Sequence, residues 1–167
     1  TIPDFHNTAK RFDTFLNVIE IDPHNRAHTG KSEIDFVLQR ADEMPILVDL
    51  IEQDRLPIRV THNDTKFNNV MIDDETGEGV CVIDLDTVMP GSLLYDFGDA
   101  IRSIANTAEE DEKDISLVHF NLEVFEKYVE GYYAATRESL TPVEIEHLAF
   151  SARLMTLECG MRFLTDH

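Results

Sequence analysis

The sequence predicts an α+β domain, mostly helical, with a small central β-hairpin that carries the chemistry. Three observations support this. Apolar residues recur at helical spacing through both flanks of the chain. Between the flanks, residues 56–85 break into short apolar runs separated by the turn-like DETGEG. Thr141-Pro142-Val143-Glu144 then has the composition of a helix start, with a hydroxyl at the cap, proline at the first position and glutamate at the third.

Taken in order, Phe12, Phe15, Leu16, Val18 and Ile19 predict a first helix from Asn7 to Ile21, ended by Asp22-Pro23. A second helix starts at Ser32 and contains Ile34, Phe36, Val37 and Leu38; Pro45 separates it from a third over Ile46 to Gln53. The runs LPIRV (56–60), NNVMID (68–73) and GVCVIDL (79–85) are strand-like, and Gly77 and Gly79 suit a tight turn that makes the last two a hairpin. The chain is expected to loop around Pro90-Gly91. Helices follow over Asp96 to Ala105, over Asn121 to Arg137, and onward from Thr141.

A length of 167 residues with 43% hydrophobic content suits one domain with its own core, residues 1–167. The 33 acidic residues against 14 basic ones give a net charge of -19 with no basic patch, which excludes nucleic acid as a partner. No apolar stretch reaches the roughly 20 residues that span a bilayer, so no membrane partner is expected. Cys81 and Cys159 lack any CxxC or metal-like spacing and are expected to be reduced core residues of a cytoplasmic protein. The chain starts at Thr1 and ends inside the helical pattern GMRFLTDH, so a piece of a longer polypeptide is expected.

The chemistry concentrates in THNDTKFNNVMID, residues 61–73. His62, Asp64 and Asn69 form HxDxxxxN, the pattern by which kinase-type phosphotransferases pair a proton-accepting Asp with a metal-ligating Asn five residues on. A short loop at that spacing turns the Asp toward the acceptor hydroxyl and returns the Asn toward Mg²⁺. Lys66, two positions after Asp64, can neutralise charge on the transferring phosphoryl group. Asp84 ends the apolar strand VCVIDLD, and the hairpin should bring it to the same end as Asn69, where a hard cation finds oxygen ligands. Asp96-Phe97-Gly98 spells the metal-binding DFG of protein kinases, yet it follows a Pro-Gly loop and opens a helix; Asp96 is therefore expected to cap that helix or brace the catalytic loop.

These residues resemble the aminoglycoside phosphotransferase and choline kinase superfamily. THNDTKFNNVMID, VCVIDLDTVMPG, LYDFGDAIR and LMTLECGMRFLTDH are closest to its bacterial N-acetylhexosamine 1-kinases. The resemblance implies a protein-kinase-like C-terminal lobe from an ATP- and Mg²⁺-dependent sugar kinase. Asp64 would position the anomeric hydroxyl of an amino sugar, with Asn69 beside it, and His62 would organise the loop. Asn69 and Asp84 would hold Mg²⁺ and nucleotide, Asp86 would be an outer acid of the metal site, and Arg162 would hold the sugar. With seven glycines, no GxGxxG and no VAIK-like strand upstream, the N-terminal nucleotide lobe of the same polypeptide is expected to be absent from this chain, leaving the fragment inactive alone.

Other readings use parts of the same pattern. Asp84 and Asp86 form a DxD of the kind with which glycosyltransferases hold a metal-bound nucleotide sugar, but that reading leaves the HND loop unused. A catalytically silent kinase-like binding module would be expected to lose the base or a metal ligand, and Asp64, Asn69 and Asp84 are all present. An Asx-rich loop that merely caps strands would not require Lys66, His62 and Asp84 in register with it. A desulfatase label finds no Cys or Ser followed by x-Pro-x-Arg at Cys81, Cys159 or any serine. His24 and His28, four apart, lie between Pro23 and Gly30 without a third ligand and are expected in a surface loop.

Overall fold

The computed structural model describes residues 2–108 and 112–167. Three helices come first: α1 (Thr8–Ile21), α2 (Lys31–Leu38) and α3 (Ile46–Glu52). Asn7 caps α1 by accepting the Lys10 N–H, which satisfies one of the donors a helix start leaves open. Four short strands follow: β1 (Arg59–Thr61), β2 (Val70–Ile72), β3 (Gly79–Val82) and β4 (Met89–Gly91). The chain then runs through α4 (Leu93–Ile104), α5 (Leu122–Thr136) and α6 (Pro142–Asp166). This is the expected α+β fold, mostly helical, with a small hairpin in the middle.

The strands form two antiparallel pairs. β2 and β3 make the predicted hairpin, with Val70 opposite Val82 and Met71 opposite Cys81. Its turn is stabilised by Asp73, whose Oδ1 accepts the backbone N–H groups of Glu75 and Thr76, and Gly77 supplies the φ of +72° that closes it. The other pair, β1 with β4, was expected as a loop on the β4 side. Pro90 sits opposite Val60 in this two-stranded ribbon, where a residue with no N–H to donate is tolerated on an edge.

The core lies where α4 crosses α6. Gly98 permits the crossing: a Cβ there would lie 2.5 Å from the Ser151 carbonyl oxygen. The glycine of the DFG triplet is therefore a packing residue. Around this contact Leu94, Leu154, Met155 and Met161 join Phe15 of α1, Val37 of α2 and Leu47 of α3 in one buried cluster. A smaller cluster, Phe97, Ile101 and Ala105, receives Phe125, Tyr128 and Tyr132 from α5. α6 begins with the predicted capping box: Thr141 Oγ1 accepts the Glu144 N–H, and Glu144 accepts the Thr141 N–H.

Glu144 does more than cap. Its fully buried carboxylate accepts two hydrogen bonds from Arg59, at 3.0 and 2.9 Å, tying β1 to the start of α6. Burial alone pushes the Glu144 carboxyl up, but the Arg59 and Thr141 hydrogen bonds outweigh it and hold the group below its ordinary value.

Three expectations are corrected. Cys81 is exposed rather than a core residue, because β3 is covered on neither face; Cys159 is half-buried, and neither is in a disulfide. α4 starts at Leu93, capped by Ser92, so Asp96 lies inside its first turn and does not cap it. The apolar run 56–60 divides, with Leu56 buried after α3 and the strand itself at 59–61. His24 and His28 fall in the turn between α1 and α2, as expected. Among the described residues no helix is long and apolar enough to cross a membrane.

Candidate active site

Residues 62–69 connect β1 to β2 as a loop whose first N–H groups, at His62, Asn63 and Thr65, are held by α4. Asp96 accepts the His62 N–H on Oδ2 at 2.9 Å and the Asn63 N–H on Oδ1 at 2.7 Å. One turn later on the same helix face, Asp99 accepts the Thr65 N–H at 2.8 Å and is itself gripped by Arg102 through Nε and Nη2. Thr65 Oγ1 donates to the Asp96 carbonyl, and Thr87 Oγ1 donates to the His62 carbonyl. Burial pushes the Asp96 carboxyl up, and the two loop N–H groups it accepts pull against that shift. Asp96 therefore braces the loop that carries Asp64, and does not cap α4.

Asn63 occupies the left-handed region at φ +65°, a conformation that costs free energy unless its surroundings hold it. They do: its buried Nδ2 donates to the Thr61 and Thr87 carbonyls, and its Oδ1 accepts from Thr61 Oγ1. This strained residue immediately precedes Asp64 and turns that side chain away from the core.

The carboxylate of Asp64 is half-buried and partnered by the residues expected beside it. Asn69 Nδ2 donates to the Asp64 carboxylate at 3.1 Å and to its carbonyl at 2.8 Å; Lys66 Nζ lies 3.5 Å from the other carboxylate oxygen. With Nδ2 spent on Asp64, the Asn69 amide oxygen has no protein donor among the described residues. The strand ladder continues from the loop, as Ile83 N–H donates to the Asn69 carbonyl at 2.9 Å, which places Asp84 one residue past the end of that pairing. His62 Nε2 donates to the Ile83 carbonyl at 2.9 Å, joining the loop to the residue before Asp84, while its Nδ1 is buried without a partner among the described residues.

Asp84 adopts φ +58°, another left-handed non-glycine position, and its exposed carboxylate makes no hydrogen bond or ion pair among the described residues. Asp86 is similarly exposed, in the 3₁₀ turn Leu85–Thr87. No three acids, histidines or cysteines cluster around a possible ion among the described residues. The Asn69 amide oxygen and the Asp84 and Asp86 carboxylates are hard oxygen donors, the kind that Mg²⁺ takes together with waters and phosphate.

Asp64, Lys66 and Asn69 open onto a cavity of about 700 Å³. Its opposite wall is α5, which contributes Glu123, Val124, Lys127 and Tyr128; Val70, Val82 and Ile104 complete an apolar lining. Burial, with Asp96 and Asp99 nearby, pushes the Tyr128 hydroxyl up to about 12, so it faces the cavity protonated. Arg162 does not line this cavity. It is exposed on α6, one turn beyond the buried Glu158.

Sequence reasoning missed Asp99, Thr87 and the α5 wall. Asp99 had a usable signal, since it repeats Asp96 at i+3 on a helix facing the loop. The α5 residues had none, because nothing local relates them to Asp64.

The phosphotransferase enzyme family, APH, matches residues 2–138, a span that contains the loop, the hairpin and α4 to α5. The chain belongs to this family. Membership makes the chain part of a phosphotransferase family of the kinase-like superfamily.

Proposed function

We propose that this chain is the acceptor- and metal-binding lobe of an ATP- and Mg²⁺-dependent kinase that phosphorylates the anomeric hydroxyl of an N-acetylhexosamine. The observation that carries the phosphotransfer part is the Asp64–Asn69 pair, held on a loop that α4 braces and open to a cavity large enough for a monosaccharide. Asp64 accepts the hydroxyl proton as the acceptor oxygen bonds to the γ-phosphorus and the diphosphate leaves. Lys66 offsets charge beside it. Asn69 and Asp84 are the oxygens that would hold Mg²⁺, with Asp86 outside them; the ion, when bound, supplies neutralisation of the phosphate oxygens. Because the transition state is loose, the protein contributes positioning more than basicity.

The sugar assignment rests on the resemblance of the loop, hairpin and α6 segments, and on a cavity that sets a few polar side chains within apolar walls. Two acids, Asp64 and Glu123, face two lysines, Lys66 and Lys127, so the cavity has no excess of negative charge to select a polycationic acceptor. Arg162, the sugar contact that the resemblance implies, lies on α6 outside this cavity, so no contact to an acceptor bound there is assigned to it. The apolar side chains left bare around the hairpin, Val60 at 81% exposure with Met71, Val80 and Val82, suit cover by a phosphate-covering lobe.

Phosphorus NMR of the intact polypeptide with ATP and a panel of free sugars tests the proposal. A sugar 1-phosphate resonance with N-acetylglucosamine or N-acetylgalactosamine is expected; phosphorylation of a different hydroxyl class would keep the kinase and discard the sugar, and no transfer to any acceptor would discard both.

A further inference from the structure

Behind the catalytic loop lies a buried charged cluster that the phosphotransfer reading does not use. His6, in the segment before α1, has a ring only 7% exposed. Its Nδ1 lies 3.0 Å from Glu158 Oε1 on α6, and its Nε2 lies 3.3 Å from the carbonyl oxygen of Asn63, the strained residue before Asp64. A carbonyl and an ionised carboxylate can only accept. A neutral imidazole has one N–H and would leave a lone pair facing an oxygen at one of these contacts; an imidazolium satisfies both.

The surroundings favour that cation. Glu158 is 1% exposed and its Oε2 has no hydrogen-bond partner among the described residues, so an ionised carboxylate at this position requires positive charge beside it. Arg11 of α1 reaches Glu158 Oε1 at 3.4 Å but directs its guanidinium hydrogen bonds to the Phe5 carbonyl. From α4, the Tyr95 ring lies 5.0 Å from the His6 ring.

We propose that His6 is a positioning residue for the phosphotransfer loop, protonated on both ring nitrogens and locked between Glu158 and the Asn63 carbonyl. Asp96 holds the N–H side of the Asn63 turn, and His6 holds its carbonyl side. Between them the peptides on either side of Asn63 are fixed, and with them the direction of Asp64. The inference rests on the phosphotransfer reading, which the wild-type rate establishes separately from any effect of His6.

In the intact polypeptide, His6→Ala is expected to lower kcat about tenfold to hundredfold, with KM for ATP changed less than about twofold. His6→Gln, whose single amide nitrogen can donate two hydrogen bonds, is expected to recover most of that loss. Long-range ¹H–¹⁵N correlation spectra of the unmodified protein, which need no variant to fold, are expected to show a proton on each ring nitrogen of His6. A single protonated nitrogen would overturn the cation. An active wild type with kcat unchanged in His6→Ala, or a melting temperature that drops while kcat holds, would overturn the positioning role.

Discussion

The two ends of the Asp64–Asp84 site are built differently. At the base end, Asp96 and Asp99 accept the loop's His62, Asn63 and Thr65 N–H groups, Thr87 donates to the His62 carbonyl, and the Asp64 carboxylate itself has two partners. At the proposed metal end, Asp84 and Asp86 are exposed carboxylates with no partner among the described residues. The contrast is one of timing. A base must be aimed before the substrate arrives, because reorienting it during transfer costs rate; metal ligands can wait, because the ion and the phosphates they hold arrive together.

Removing the base should give the largest effect. Asp64→Asn is expected to lower kcat by about 10² to 10⁴ while ATP affinity stays within a few-fold, since Asn can still accept from Asn69; equal losses in both would mean the base end is not set before binding. At the other end, Asp84→Ala is expected to abolish Mg²⁺-dependent nucleotide binding, measured by calorimetry, and to leave the melting temperature of the protein unchanged. A large drop in melting temperature would show Asp84 to be as built-in as Asp96.

Structural support gives the intermediate effects. Gly98→Ala drives a methyl group against the Ser151 carbonyl and is expected to destabilise by roughly 1–3 kcal/mol in urea denaturation, weakening the helix that carries both loop-bracing aspartates. Glu123→Ala removes a carboxylate from the exposed rim of the cavity; KM for the acceptor is expected to rise about threefold to tenfold with kcat little changed.

The smallest effect is a pH dependence. Glu144 has its folded value held down by Arg59, so its contribution to stability is complete above the ordinary carboxylate range and is lost as pH falls through the lowered value. Asp96 has the opposite sign: burial raises it, so ionising it costs stability as pH climbs from the ordinary range through the raised value. Urea denaturation of wild type and Glu144→Gln should therefore show a gap that is widest above about pH 5 and closes toward acid. A gap that widens toward acid would reverse the assignment.

Much of the site was legible because its signals are local. HxDxxxxN sits within eight residues, the hairpin turn is written in DETGEG, and the capping box at Thr141 needs only the four residues that make it. Spacing of this kind survives because a short loop or a single helical turn has few ways to fold. The DFG triplet misleads for the same reason: three letters fit more than one local structure, and only the position of Ser151 shows that Gly98 is there for packing.

Long-range closure was not written in any window. His6 and Glu158 meet across 152 residues, Arg59 and Glu144 across 85, and α5 faces Asp64 only because Phe125, Tyr128 and Tyr132 pack on Phe97. Composition and spacing were enough to give the element types and to propose a base and metal oxygens. Which acids brace the loop, which helix walls the cavity and which histidine stands behind Asn63 depend on how the helices pack, because a buried charge declares its partner only when the rest of the chain has excluded water around it.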